Sequence, residues 1–106
     1  MNLNRRIKQS PFYVIVRFEL REGGPEMPGP LIKEFFSKEV STFAGFISAK
    51  IHMNEEGTVL INYATWQSAE KFQKFIEFAS VSEMSGKIQA FNPYTDRVFE
   101  IIDETS

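Results

Sequence analysis

The chain has 106 residues, 42% of them hydrophobic, with 11 Phe and a formal charge of -2 at neutral pH. That length supports one domain with a single modest core, and the charge offers no basic footprint for nucleic acid. With no cysteine and one histidine, His52, disulfides, thiolate nucleophiles and sulfur metal ligands are excluded, and a nitrogen-rich zinc site is short of ligands.

No apolar run approaches the length of a membrane span, and the first residues lack the apolar core of a signal peptide. A soluble, cytoplasmic protein with no membrane partner is the expectation. Residues 1–10 carry Arg5, Arg6 and Lys8 on a polar stretch and are expected as a flexible, solvated tail, with 11–106 as one domain. From Phe12 to Leu20 the chain alternates: Phe12, Val14, Val16, Phe18 and Leu20 share one face, and Tyr13, Ile15, Arg17 and Glu19 the other. This is a first strand. Gly23, Gly24, Pro25, Pro28, Gly29 and Pro30 then predict an irregular loop. Beyond it Ile32, Phe35, Phe36, Val40 and Phe43 fall at helical intervals, and Pro30 suits the first turn.

Gly45 closes that helical region, and Phe46 to Met53 reads as a second strand. Asn54-Glu55-Glu56-Gly57 is a compact turn with Gly57 free to adopt a left-handed conformation, so Thr58 to Ala64 returns as the third strand of a hairpin. Ser68 is placed to cap a second helix that carries Phe72, Phe75, Ile76 and Ala79 inward. Residues Ser80 to Gly86 read as a broken continuation or an extra turn, with a short extended piece around Gln89 to Phe91 and a last strand over Arg97 to Asp103. Pro93 separates those two pieces.

The order strand, helix, strand, strand, helix, strand is that of an α+β, ferredoxin-like domain: a four-stranded antiparallel sheet with both helices on one face. The helices cover one face only, yet the strands are apolar on both. Val59, Ile61 and Tyr63 oppose Leu60 and Ala64, and Val98 and Ile102 oppose Phe99 and Ile101. An uncovered apolar sheet face is a patch that monomers rarely expose, and pairing it with the same face of a second copy solves the problem by twofold symmetry. A homodimer is therefore expected.

One polar residue stands out. Asn62 lies inside an apolar strand, where Asn is depleted and costly to bury without partners. Trp66 follows four positions later, where that strand feeds the second helix.

Two segments carry a family resemblance. Ala44-Gly45-Phe46-Ile47-Ser48-Ala49 resembles the "PGF-S-A" pattern of the antibiotic biosynthesis monooxygenase family, small dimeric α+β barrel proteins. Gly57-Thr58, followed by Asn62-Tyr63-Ala64-Thr65-Trp66-Gln67-Ser68-Ala69-Glu70-Lys71-Phe72, is similar to its "NYAxWxSxExF" segment. The resemblance runs from Phe12 to about Asp103. It implies oxidation of a hydrophobic aromatic phenol or quinol by molecular oxygen, with no flavin, haem or metal, because an electron-rich phenolate can itself reduce oxygen. It also implies that Asn62 and Trp66 hold substrate oxygens through their N–H groups. His52 is the candidate proton acceptor, and Phe72, Phe75, Tyr63 and Arg17 are candidate substrate contacts. The sequence departs from the family where related enzymes place a phenol hydroxyl and a basic side chain near the second helix. Here stand Phe72 and Phe75, with Lys87 and Arg97 as distant substitutes.

Each candidate has a plain structural alternative. Asn62 could bond backbone at a bulge or edge, and Trp66 could be a core anchor. His52 could be an exposed strand end, and Arg17 could pair with Glu19 or Glu100. Phe72, Phe75 and Phe78 could be core packing alone, and spacing does not choose among Tyr13, Tyr63 and Tyr94. Two other functions compete with the oxygenase: a non-catalytic dimeric module that binds a small apolar ligand, and haem degradation. The latter is disfavoured because the sister branch uses a histidine on the second helix and none follows His52.

Overall fold

Alternation of Phe12, Val14 and Phe18 with Tyr13, Ile15 and Arg17 makes the first strand two-sided, and in the computed structural model it lies inside the sheet. The structure describes residues 5–20 and 28–103, with side chains over 10–20 and 28–101. The elements run β1 (Arg5–Glu19), α1 (Gly29–Lys38), β2 (Phe46–Met53), β3 (Val59–Trp66), α2 (Ala69–Ala79), α3 (Glu83–Gln89) and β4 (Tyr94–Asp103). The sheet is antiparallel in the order β2-β3-β1-β4, the ferredoxin-like topology. Gly23, Gly24 and Pro25, assigned to a loop, lie outside the described residues.

Register shows which side chains meet. Phe12, Val14, Val16 and Phe18 of β1 stand opposite Trp66, Ala64, Asn62 and Leu60 of β3. All but Val16 of these are buried. The helices close over this face with Ile32, Phe35, Val40, Phe72, Phe75, Ala79 and Ile88, forming one core. It is built largely of rings: Trp66 touches Phe46, Phe72 and Phe75 at centroid distances of 5.4–5.5 Å. Each fully buried aromatic of this kind contributes about 1.5–3 kcal/mol from area alone.

Local signals hold at the turns. Gly57 adopts φ +73° in the β2–β3 hairpin. The Ser68 hydroxyl accepts the Lys71 N–H at 3.1 Å, capping α2 as expected. Gly45 takes φ +96°, and a Cβ there would lie 2.4 Å from the Lys71 side chain.

Three boundaries and one burial differ from the sequence expectation. Strand β1 begins at Arg5, not at Phe12, and its first residues pair with β4. Their register shifts between Lys8 and Phe12, where Pro11 has no N–H to offer the ladder. The stretch expected as a broken continuation or an extra turn, then extended, holds the separate short helix α3, which runs on to Gln89. Ser82 accepts the Ser85 N–H at its start, Glu83 and Lys87 match the helix dipole at its two ends, and Met84 and Ile88 face the core. Strand β4 starts at Tyr94, three residues before Arg97. Lastly, Ile76 is 37% exposed rather than buried, because it sits at the edge of the α2 apolar stripe defined by Phe72, Phe75 and Ala79.

Candidate functional site

Strand parity decides what Asn62 does, because one register step reverses a side chain's face. Asn62 shares parity with Leu60, Ala64 and Trp66, the face covered by the helices. It is 6% exposed and is the buried polar residue among the described core positions. Its Oδ1 is sealed from solvent and has no hydrogen-bond partner. A buried amide oxygen left unpaired costs about 1–3 kcal/mol. Orphaned groups of this kind are few in folded proteins and mark places kept for something other than packing.

The residue that carries this orphan also lines a void. A cavity of about 110 Å³ lies between the sheet and the helices, with Asn62, Trp66, Phe72 and Phe75 all on its wall. Val14, Val16, Phe35 and Ile88 add apolar surface. Ile76 of α2, Gln89 of α3 and Thr95 of β4 also line it and are exposed, so the cavity meets solvent where these three elements converge. The pairing expected from sequence is therefore present: a carboxamide and an indole on one strand, two residue pairs apart, both bordering a water-poor space backed by phenylalanine rings. The rings do not fill it.

Three other candidates lie elsewhere. His52 pairs with Ile61 across the β2–β3 ladder, placing it on the opposite sheet face, exposed. It borders only an open groove with Gly29, Pro30 and Lys33 along the β2 edge. Tyr63 also points to the open face, 37% exposed, with its ring 5.5 Å from that of Tyr13. Arg17 is on the same face and donates to the Glu19 carboxylate at 2.9 Å. The structure does not bring these three to the cavity. In each case odd–even parity along β1 or β3, or the hairpin register that sets β2, turns the side chain away from the cavity.

Sequence reasoning missed the polar rim. Ser85 and Gln89, one turn apart on α3, border the cavity with Thr95. The i, i+4 spacing of Ser85 and Gln89 was the available signal, hidden because Ser85-Gly86 resembles a helix break. Among the described residues that line the cavity none has an ionisable side chain. Arg97, two positions beyond Thr95, lies over the Phe12 and Phe72 rings, 5.7 and 5.1 Å from their centroids, and donates to Gln73 Oε1 at 3.1 Å. It braces β4 against α2 by cation–π contact. No cluster of His, Cys, Asp or Glu able to hold a metal occurs among the described residues, and no described helix is long and apolar enough to cross a membrane.

No family model and no curated protein matches the chain. Solved structures do. Rv0793 from Mycobacterium tuberculosis aligns over 92% of this chain and 100% of its own, at TM-score 0.70 and 17% identity. A monooxygenase from the gene ActVA-Orf6 of Streptomyces coelicolor, solved in complex with nanaomycin D, covers 85% of this chain and 87% of its own at TM-score 0.60 and 22% identity. SnoaB, a cofactor-independent oxygenase from Streptomyces nogalater, covers 87% and 90% at TM-score 0.61 and 11% identity. At these identities the likeness is one of architecture: the chain has the ferredoxin-like α+β fold that these monooxygenases share with proteins of unassigned activity.

Proposed function

We propose that the chain belongs to the antibiotic biosynthesis monooxygenase family and acts as a cofactor-independent oxygenase on a hydrophobic phenol or quinol. The observation that carries this reading is the buried Asn62 carboxamide, its Oδ1 unpartnered, beside Trp66 on the wall of an apolar cavity. A flat aromatic ring displaces no bound polar partner there and gains contact with Phe72 and Phe75. Its oxygen meets the Asn62 amide and the Trp66 indole N–H, prearranged dipoles in a site of low dielectric. In the proposed reaction a phenol with a free ring C–H and O2 give a quinone and water: one oxygen atom enters the ring and the other leaves as water. The substrate supplies all four electrons, so the balance needs no other reductant. The ActVA-Orf6 and SnoaB monooxygenases lend this reading support through their fold.

The neutral cavity wall shapes the mechanism. With His52 on the far face, no lining residue acts as a base, and the substrate ionises in exchange with solvent at the mouth. The protein's part is to stabilise the anion through N–H donors and to exclude water while oxygen adds. The rate should rise with pH along the substrate's own phenol ionisation, and His52→Ala should leave that profile unchanged. A shoulder that disappears in His52→Ala would show instead that the imidazole takes part.

The test of the activity is oxygen uptake by metal-stripped protein with a panel of anthrones and hydroquinones. Uptake above buffer that falls at least tenfold in Asn62→Ala supports an oxygenase. No uptake, with saturable binding of the same compounds, favours the second reading, a non-catalytic dimeric module for a small apolar ligand. That reading is favoured by one observation, the neutral wall. A haem-degrading role finds no histidine facing the cavity. The working form proposed here is a cytoplasmic homodimer joined through the open sheet face, where Tyr13, Ile15, Ile61 and Val98 are only partly buried by their own chain.

A further inference from the structure

We propose that the cavity is built for a single aromatic ring with a polar substituent on each of two opposite edges, rather than for a fused multi-ring body. The inference rests on the ligand-binding reading of this cavity given above and adds the class of ligand.

Volume is the first constraint. An apolar cavity of about 150 Å³ is known to hold one benzene, and this one measures about 110 Å³. It takes one ring with its substituents reaching past the mouth, whereas a three-ring body needs roughly two to three times the benzene-holding space. The extra rings would lie outside, against Ser85, Gln89 and Thr95, and their apolar area would gain little of the ~25 cal/mol per Å² that burial supplies.

Register sets the second constraint. Val16 of β1 pairs with Asn62 on one side and with Thr95 on the other, so Asn62 and Thr95 flank it in one transverse row on the same sheet face. Two strand spacings of about 4.8 Å separate their backbones by roughly 10 Å. That span is of the order of one ring with an oxygen on each of two opposite edges and a hydrogen bond of about 2.8 Å at each end, and a fused multi-ring body laid across the row overruns it. The inner pole is the Asn62 carboxamide, in a lining residue 6% exposed. The outer pole is Thr95, with Ser85 and Gln89 above it on α3. Everything between the two poles is apolar.

The chain's one tryptophan is Trp66, so a nitrogen-15 spectrum contains one indole N–H signal, and it reports on the cavity wall. Three probes separate the outcomes: 4-(hydroxymethyl)phenol, phenol, and 1,8-dihydroxyanthrone. The single ring with two polar ends should shift the Trp66 signal saturably and bind about fivefold or more tighter than phenol, the worth of one net hydrogen bond. Thr95→Val combined with Gln89→Leu should reduce 4-(hydroxymethyl)phenol to the affinity of phenol and leave phenol unchanged, with an unaltered melting temperature confirming the fold. Anthrone binding as tightly as the single ring, or a double variant that weakens both small probes alike, overturns the proposal while the cavity remains a ligand site. If no probe moves the Trp66 signal, or Asn62→Ala leaves every affinity unaltered, the ligand-binding reading falls and this inference with it.

Discussion

At the scale of single residues, Asn62 sets stability against function. Its unpaired Oδ1 is a standing cost that an apolar side chain of similar shape removes. Asn62→Leu should therefore raise the unfolding free energy by about 1 kcal/mol in a urea titration while abolishing oxygen uptake. A clear loss of stability would show that the amide is satisfied in solution. That this position is unusual was legible in the sequence, since an amide in a strand of Val, Leu, Ile and Ala breaks the local pattern. The roles of His52, Tyr63 and Arg17 were not. Residue type suggested chemistry for each, and only the strand faces they occupy removed them from the cavity.

At the scale of elements, the junctions of α2 and α1 carry distinct tests. Gly45 joins the end of the first helical region to β2 at φ +96°, with the Lys71 side chain against its Cα, and its carbonyl accepts the Gln67 N–H at 2.7 Å. Gly45→Ala should cost about 1–3 kcal/mol from the left-handed backbone alone, measured by thermal or urea unfolding, with more added by the clash. No change would mean that α2 shifts freely at its first turn. On α1, Lys38 donates to Glu34 at 2.7 Å, and this hydrogen bond, then its charge, holds the Glu34 carboxyl below its ordinary value. A lowered folded-state pKa contributes stability that is present above the unfolded pKa and is lost as pH falls through the folded one. Both side chains are solvent-exposed, so the effect is read by titration rather than by melting. Lys38→Met should move the Glu34 carboxyl carbon titration upward in NMR, and an unmoved midpoint would reject the pairing in solution. Helix α3 marks the limit of pattern reading at this scale. Seven residues are too few for a periodic signal, and its helicity depends on Ser82, which donates to Glu39 Oε1 at 2.7 Å across 43 positions of chain.

At the scale of the whole molecule, the proposed dimer rests on the open sheet face. Tyr63 and Tyr94 are 37% and 66% exposed there, and Ile15, Ile61 and Val98 lie among them on the same side by register. A dimer through this face should give twice the chain mass by light scattering at micromolar concentration. Ile61→Glu, whose side chain points away from the cavity, should return it to one chain mass, because a charge buried without a partner is strongly unfavourable at such an interface. A single-chain mass for the unaltered protein would reject the dimer and leave the cavity untouched.

Local sequence signals determined the order of the four strands and the two longer helices, the antiparallel hairpin, the cap at Ser68 and the two-faced character of the strands, since these depend on neighbours within a few positions. The tertiary structure decided the rest: that Asn62 and Trp66 border one void, that the void stays open among so many rings, and that Ser85, Gln89 and Thr95 form its rim. These facts depend on how α2 and α3 sit over the sheet. That placement is the sum of many weak contacts between residues far apart in the chain, and no short window of sequence contains it.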